Sequence, residues 1–367
     1  MANLKEKKKL VSLLLRFVYQ GEQTAVAVRE EEELNSLQLP PNLKDLNFYG
    51  LKGSSFPWRM LNDLPKLVKI NIQRCDSCQV LPLFSRLPLL RDLSLEKLKA
   101  LEYVEADDFK ECSCAVYFPA LESLTLNSME ELKRWSKVEH DDSVHLGPCY
   151  LFPRLRSLKI FGCGKLMRLP AMSQLESLIA HHINGELLTS ILASSSSTPT
   201  LKYLNIEPIE LISLIFRNLQ LRNISDGMHC LSALETLTIY KCEDFVGWDI
   251  SVWEGLKSLR MLKILIMPNL QELPQGITCL TTLQHLDIAG LVNLTALPEN
   301  IGGLSQLCSL SIMSCPKLAA VPQSLRGLTS LQTLRIVGCP ELEKRCQQPD
   351  GPDWPLIRHI PTVTFTF

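Results

Sequence analysis

One glycine-rich segment of the chain has the residue types of a phosphate-binding loop. Residues 162–165 read Gly-Cys-Gly-Lys, and a loop of the form G-x-x-x-x-G-K-[ST] holds phosphates with its backbone N–H groups and its lysine. That loop would need a glycine at position 159 and a serine or threonine at position 166, where the chain has Lys159 and Leu166. Because the match fails twice, we expect no nucleotide site here and no cofactor in the chain.

Cysteine and histidine side chains are ligands that zinc prefers, usually four to a structural site. Cys75 and Cys78 form a C-x-x-C pair, and the pair Cys112 and Cys114 would have to meet them across repeats to complete such a site. A further group of candidate ligands lies in one polar stretch and consists of His140, Asp141, Asp142, His145 and Cys149. Polar insertions accumulate such residues because they are exposed. We therefore expect a solvated loop and structural cysteines rather than a metal site.

The sequence contains no recognisable catalytic arrangement. His181 and His182 have no carboxylate or cysteine beside them, and the G-x-S-x-G turn that exposes a nucleophilic serine does not occur. We therefore predict that the protein is not an enzyme. The alternative, an enzyme, would require a group of polar residues assembled across neighbouring repeats.

The composition is that of a chain with a large core. Its 367 residues carry a formal charge of -1, with 46% hydrophobic and 21% charged residues, which argues against disorder and against a nucleic-acid-binding arm. No apolar stretch reaches the roughly 18–20 residues of a membrane-spanning helix. The 13 cysteines are an odd number scattered along the chain, which favours a reducing compartment. We expect a cytoplasmic, intracellular location, no nucleic-acid partner and no membrane span.

Leucine makes up 69 of the 367 residues, and its spacing is regular. In the last four units the pattern L-x-x-L-x-[LI] begins at Leu259, Leu283, Leu307 and Leu331, 24 residues apart each time. This period falls in the range of about 20–29 residues that is typical of leucine-rich repeats. Upstream, the same pattern begins at Leu10, Leu43, Leu67, Leu90, Leu121, Leu155, Leu175, Leu201 and Leu234. The sequence therefore predicts about thirteen repeats.

Each repeat predicts one short strand whose alternate residues face opposite sides. The fold class that we expect is an α/β repeat solenoid, a leucine-rich-repeat horseshoe with a parallel β-sheet on the concave face and an irregular, short-helical convex side. We assign residues 1–345 to the solenoid and residues 346–367 to a C-terminal capping segment. Longer steps between repeats indicate insertions near residues 102–117, 136–150, 193–199 and 215–228.

The outward positions of these strands form a candidate recognition face on the concave side. This face combines aromatic residues with single charges, which is typical of binding surfaces, although a mixed composition is also the default for a solenoid surface. The candidate recognition residues are Tyr49, Lys69, Lys159, Phe161, His181, Tyr203, Tyr240, Met261, Lys263, His285, Asp287 and Arg335.

Four segments of the chain resemble one known family. They are LKEKKKLVSLLLRF, PPNLKDLNFYGLKGSSFPWRM, RCDSCQVLPLFSRLPLLRDLSL and DGPDWPLIRHIP. Together they resemble the C-terminal leucine-rich-repeat region of plant intracellular disease-resistance proteins of the coiled-coil, nucleotide-binding type. The resemblance implies a domain that senses pathogen molecules or modified host proteins and holds a neighbouring nucleotide switch inactive. It implies no catalytic residue in this region.

The chain departs from that family because neither a phosphate loop nor the Met-His-Asp triplet of the nucleotide switch occurs in it. The resemblance therefore predicts a truncated receptor or a recognition fragment. The partners that we expect are a protein ligand, either a pathogen effector or a host protein, and a nucleotide-binding module in a longer chain. A generic intracellular leucine-rich-repeat scaffold or ubiquitin-ligase adaptor is the alternative function.

Overall fold

The structure, a computed structural model, describes residues 4–17, 34, 37–54, 56, 61, 63–105, 118–136, 152–170, 172–184, 186–188, 190–191, 200–208, 231–241 and 250–366. The four predicted insertions lie wholly or mostly outside these residues, as do Cys112, Cys114 and the candidate metal ligands His140, Asp141, Asp142, His145 and Cys149. The chain divides into two compact units, Met1–Glu176 with Ala180–Ser195 and Ser177–Ile179 with Ser196–Phe367.

The first unit is built on short parallel strands. They are β1 (Ser12–Arg16), β2 (Asp45–Tyr49), β3 (Lys69–Gln73), β4 (Asp92–Glu96), β5 (Tyr103–Glu105), β6 (Ser123–Asn127), β7 (Arg134–Ser136) and β8 (Ser157–Phe161). Strands β1, β2, β3, β4, β6 and β8 are neighbours in that order in a parallel sheet, and β5 pairs with β7 in a small second sheet. Strand β9 (Ser177–Ile183) contributes residues to both units.

The second unit has the same construction. Its further strands are β10 (Tyr203–Pro208), β11 (Thr236–Tyr240), β12 (Met261–Leu265), β13 (His285–Ala289), β14 (Ser309–Met313), β15 (Thr333–Val337) and β16 (Thr362–Thr366). Each of these strands pairs in parallel with the next, without a shift in register. The predicted α/β repeat fold with a parallel sheet is therefore confirmed.

Buried leucines explain why these strands form. In β13 the second and fourth residues, Leu286 and Ile288, are 0% exposed, whereas the other three residues are partly exposed. The register aligns Leu286 with Leu262 of β12 and with Leu310 of β14, both fully buried. Each repeat therefore buries its leucines against the repeats on either side, so the stabilities of adjacent repeats depend on one another.

Short helical segments return the chain from one strand to the next. Among the described residues, the 3-10 turns are Leu4–Glu6, which precedes β1, and Phe84–Arg86, Gln275–Cys279, Ile301–Gly303 and Gln323–Gly327. The α-helices of the same residues are α1 (Ile250–Gly255), α2 (Pro340–Cys346) and α3 (Trp354–Ile357). Pro274 and Pro322 immediately precede two of the 3-10 turns, with φ of -56° and -69°. The proline ring imposes this angle, so these prolines mark where the turns begin.

The residue after many strands adopts the left-handed backbone conformation. Arg74 follows β3 with φ of 55°, Ile266 follows β12 with φ of 54°, and Gly290 follows β13 with φ of 69°. The backbone N–H of Ile266 donates to the carbonyl oxygen of Ala289 at 2.7 Å, so this residue extends the hydrogen-bonded ladder by one step. The conformation costs a non-glycine residue about 1–2 kcal/mol, and the added ladder bond offsets part of that cost.

The segment after the last repeat contains one buried carboxylate. Asp353 immediately precedes α3 and accepts hydrogen bonds from Nε of Arg345 at 2.9 Å and from Nη2 at 2.7 Å. The backbone N–H of Val321 also donates to Asp353 Oδ2, at 3.3 Å. Because a buried charge must be paired and hydrogen-bonded, Asp353 links this segment to the repeats that precede it.

The inward and outward residues of one strand should differ sharply in their effect on stability. Leu286→Asp places an unpaired carboxylate in the core, and we expect it to lower the free energy of unfolding by more than about 3 kcal/mol. His285→Ala, at the neighbouring outward position, should change that free energy by less than about 0.5 kcal/mol. Urea unfolding followed by circular dichroism measures both, and similar effects of the two variants would contradict the register.

Two adjacent glycines provide a matched test of packing between repeats. A Cβ atom on Gly302 would overlap the carbonyl oxygen of Ser324, whereas a Cβ atom on Gly303 would meet no atom within 4 Å. Gly302→Ala should therefore destabilise the protein by about 1–3 kcal/mol. Gly303→Ala should be neutral or stabilise it by up to about 1 kcal/mol. Thermal unfolding measures the stability of both variants. Equal melting temperatures would contradict the close packing of Gly302 against Ser324.

Candidate functional site

We call the side of each sheet that is formed by the first, third and fifth residues of its strands the open face. The second and fourth residues of these strands face the core. Because the strands pair without a shift, equivalent residues of successive repeats form rows that cross the strands. All twelve candidate recognition residues are half-buried or exposed, and each lies at an open-face position.

In the first unit, Tyr49 lies between two arginines. The guanidinium carbon of Arg16 is 5.1 Å from the Tyr49 ring centroid, and that of Arg74 is 5.6 Å from it. Both distances are within the range of a cation–π interaction. Neither arginine was among the residues predicted for the recognition face. Arg16 could have been found by aligning β1 with β2, whereas Arg74 follows its strand and lies outside the alternating pattern.

Charged and aromatic pairs occupy the rest of the first open face. Lys69 Nζ lies 3.1 Å from Asp92 Oδ2 on the next strand. The Phe161 and His181 rings meet edge to face, with centroids 5.3 Å apart. Lys159 is exposed at the third position of β8. The structure therefore brings Phe161 and His181 together and leaves Lys159 directed to solvent.

The open face of the second unit carries the remaining candidates. The register sets Met261 beside His285 and Lys263 beside Asp287, with Lys263 Nζ 3.4 Å from Asp287 Oδ2. Tyr240 lies at the end of β11, with Lys241 Nζ 5.3 Å from its ring centroid. The two outermost candidates are Tyr203 on β10, half-buried, and Arg335 on β15, exposed.

An apolar row that was missing from the predicted set borders these charges. The fifth positions of four successive strands are half-buried apolar residues, namely Leu265, Ala289, Met313 and Val337. Ile266, the left-handed residue after β12, is 41% exposed beside this row. The four residues recur in the sequence at a 24-residue spacing, but the candidate recognition residues are mainly aromatic and charged and do not include them.

One polar residue of this face is buried, and a second has a buried polar atom, although alternation directs both outward. Thr238, at the third position of β11, is only 7% exposed. Its register neighbours are Asn205 of β10 and Lys263 of β12. Among the described residues, the buried Oδ1 atom of Asn205 has no hydrogen-bond partner. Alternation within one strand cannot predict this burial, because accessibility also depends on the residues of the neighbouring strands.

The glycine-rich segment and the cysteines have structural roles. Lys165 Nζ forms an ion pair with Glu131 Oε1 at 2.6 Å, which lowers the pKa of that carboxyl group. Cys163 is buried and its Sγ donates to the carbonyl oxygen of Phe161 at 3.4 Å. The Sγ atoms of Cys75 and Cys78 likewise donate hydrogen bonds to the carbonyl oxygens of Gln73 and Val80. Within the described ranges, no three metal-ligating side chains converge.

Comparison with known proteins adds to this geometry. A family model described as R13L1/DRL21 leucine-rich repeats matches residues 1–98, and a model described as a leucine-rich repeat region matches residues 213–348. The chain is a leucine-rich-repeat protein. Stacked repeats of this kind form extended binding surfaces. In the described part of this leucine-rich-repeat chain, no helix is long and apolar enough to span a bilayer.

The repeats are similar to those of plant disease-resistance proteins. The putative disease resistance protein RGA4 of Solanum bulbocastanum is 35% identical over 128 residues, which cover 34% of this chain and 13% of that protein. The putative disease resistance protein RGA1 of the same species is 37% identical over 106 residues, which cover 28% and 10%. The solved structure of a leucine-rich-repeat protein of Leptospira interrogans is 20% identical in sequence, with a TM-score of 0.41. The match covers 98% of this chain and 90% of that protein. The chain thus matches about a tenth of the length of its curated relatives.

Burial should make the inward cysteines resistant to alkylation. It raises the pKa of Cys163 to about 11 and that of Cys78 to about 12, so the reactive thiolate is scarce at neutral and mildly alkaline pH. Half-buried Cys279 and Cys308 serve as controls. Iodoacetamide labelling of the native protein at pH 8, mapped by mass spectrometry, should modify the controls at least tenfold faster. Rapid labelling of Cys163 would show that this cysteine is accessible.

Proposed function

We propose that the chain is a non-catalytic protein-recognition domain that binds its partner through the open face. One observation carries the proposal: Tyr240, Lys263 and His285 occupy outward positions of three consecutive strands. Neighbouring strands lie about 4.8 Å apart, so one ligand surface can reach all three side chains. Aromatic anchors beside single charges are the combination that most often carries binding energy at protein interfaces.

The charges of this face are available to a partner. The side chains of Lys263 and Asp287 are 36% and 27% exposed, and ion pairs at such partly solvated positions contribute little, usually less than about 1 kcal/mol. Either residue can therefore turn towards an opposite charge on a ligand at low cost. The adjoining apolar row, which includes Leu265 and Met313, supplies area that a partner can cover. Apolar area would give affinity, and the charges would give register and specificity.

We further propose that this recognition serves plant defence. The domain would sense a pathogen effector or a modified host protein in the cytoplasm and would keep the nucleotide-binding module of an immune receptor inactive. The similarity to the repeats of disease-resistance proteins supports this proposal. A leucine-rich-repeat scaffold or ubiquitin-ligase adaptor would use the same face but would not bind a nucleotide-binding module.

The proposal is tested first by locating the contact. A photo-crosslinking amino acid replaces His285 on the open face or Val292, which is 44% exposed outside the strands. Each protein is irradiated in leaf extract, and the crosslinked proteins are identified and purified. The affinity of each purified partner is then measured by calorimetry for the original chain and its variants.

We expect Tyr240→Ala and Lys263→Ala to weaken the partner by more than about 1 kcal/mol each, which is roughly a fivefold loss. Val292→Ala should leave the affinity unchanged. Losses confined to Val292→Ala would overturn the open face as the binding surface. For the immune role, the nucleotide-binding module of a coiled-coil disease-resistance receptor is titrated with the chain, and a lack of binding would favour the scaffold.

A further inference from the structure

A polar hollow of about 360 Å³ lies in the second unit, at the ends where its strands begin. Lys202, Glu235, Arg260 and Gln284 line it and are the residues immediately before β10, β11, β12 and β13. The backbone N–H of each of the last three donates to the carbonyl oxygen of the preceding one at 2.8 Å. The hollow is therefore built on a rigid ladder of four repeats.

Three cationic side chains and one carboxylate line this hollow. Lys202, Lys257 and Arg260 line it together with Glu235. In the described part of the chain, no ion pair or side-chain hydrogen bond engages any of these four side chains. The lining thus carries an uncompensated charge of +2, from three cations and one anion.

In the first unit, two arginines that immediately precede a strand form ion pairs. Arg91 Nη1 lies 3.8 Å from Glu122 Oε1, and Arg156 Nη1 lies 3.5 Å from Glu176 Oε1. These residues are linked by the same backbone ladder, since the N–H of Glu176 donates to the carbonyl oxygen of Arg156 at 2.9 Å. Arg91 and Arg156 each have an adjacent carboxylate, whereas Lys44, which precedes β2 in the same ladder, has valines at the neighbouring positions. The hollow differs from these two arginine pairs because its cations outnumber its carboxylate and, among the described residues, form no ion pair.

The lining also indicates the kind of anion that would fit. Among the described residues that form the hollow, Ala233 is the one apolar residue, so an apolar peptide side chain would gain little there. Arginine binds phosphate through two parallel hydrogen bonds. The Glu235 carboxylate would repel a phosphate but accepts hydrogen bonds from hydroxyl groups.

We propose that this hollow binds a phosphorylated polyol. Its phosphate groups would contact Lys202, Lys257 and Arg260, and a free hydroxyl group would donate to Glu235. The same chemistry is found in a soluble inositol phosphate and in the headgroup of a phosphoinositide lipid. The hollow lies at the strand starts, whereas the proposed protein-binding surface consists of the strands' outward residues, so the two proposals stand independently.

The first experiment measures affinity by calorimetry on the full chain, with inositol 1,4,5-trisphosphate as the probe. Arg260→Glu and Lys257→Glu should each weaken binding at least tenfold, and added salt should weaken it further. Arg156→Glu is the matched control, because it reverses the charge at the same repeat position in the first unit. The control should bind the probe as the original chain does. Equal affinity of all four proteins, or no binding at all, would overturn the proposal.

Arg260→Gln provides a second variant in case charge reversal disturbs folding. It should retain the original melting temperature and still lose affinity. Melting curves of every variant therefore separate a binding effect from an unfolding effect. An Arg260→Gln protein that folds and binds the probe with unchanged affinity would likewise overturn the proposed site.

The role of the polyol is tested with tripolyphosphate, which carries charge but no ring hydroxyl groups. The original chain should prefer inositol trisphosphate, and Glu235→Ala should remove that preference. Equal binding of both probes by the original chain would reduce the site to a non-specific anion site and overturn the polyol assignment.

Flotation with phosphatidylcholine vesicles, with and without phosphatidylinositol 4,5-bisphosphate, then distinguishes a lipid headgroup from a soluble ligand, and either result supports the shared chemistry.

Discussion

The burial of leucines against neighbouring repeats is the constraint on which the rest of this structure depends. A strand of five residues contributes only two fully buried side chains, such as Leu286 and Ile288 in β13. Burial of two such side chains stabilises the strand by about 3–6 kcal/mol, which does not exceed the roughly 5–10 kcal/mol that ordering its five residues costs. Each repeat is therefore stable only when its neighbours complete the core on both sides. The unshifted parallel register is the arrangement that aligns these leucines in every repeat.

That constraint leaves the outward positions of the strands free to vary. The core is satisfied by the second and fourth residues, so the first, third and fifth can be aromatic, charged or apolar without loss of the fold. Their spacing is nevertheless inherited from the core, because the register that aligns Leu262 with Leu286 also sets Lys263 beside Asp287. A rigid scaffold thus presents adaptable side chains at fixed intervals, which limits the ordering entropy that a partner has to overcome.

The residues that flank each strand also take part in the hydrogen-bonded ladder between repeats. The left-handed residue after the strand, such as Ile266 or Gly290, continues the ladder to the next repeat. The residue before the strand continues the ladder at the other end, and there the pairing of charges differs between repeats. Arg156 is compensated by Glu176, whereas Lys202 and Arg260 are not compensated by Glu235 within ion-pair distance. A repeated backbone therefore supports different electrostatics because only its side chains change.

The amino-acid sequence by itself determined the repeat period, the parallel strands and the inward or outward direction of their residues. These properties are local, since an L-x-L pattern needs only its own few residues to define two faces. The tertiary structure alone decided which residues meet. Tyr49 lies between Arg16 and Arg74, Phe161 meets His181, and Asp353 pairs with Arg345. Most of these partners come from different repeats, and their side-chain directions depend on the packing of every strand between them. The burial of Thr238 and the convergence of unpaired cations before β10 and β12 have the same origin, because both arise only when successive repeats are stacked in register.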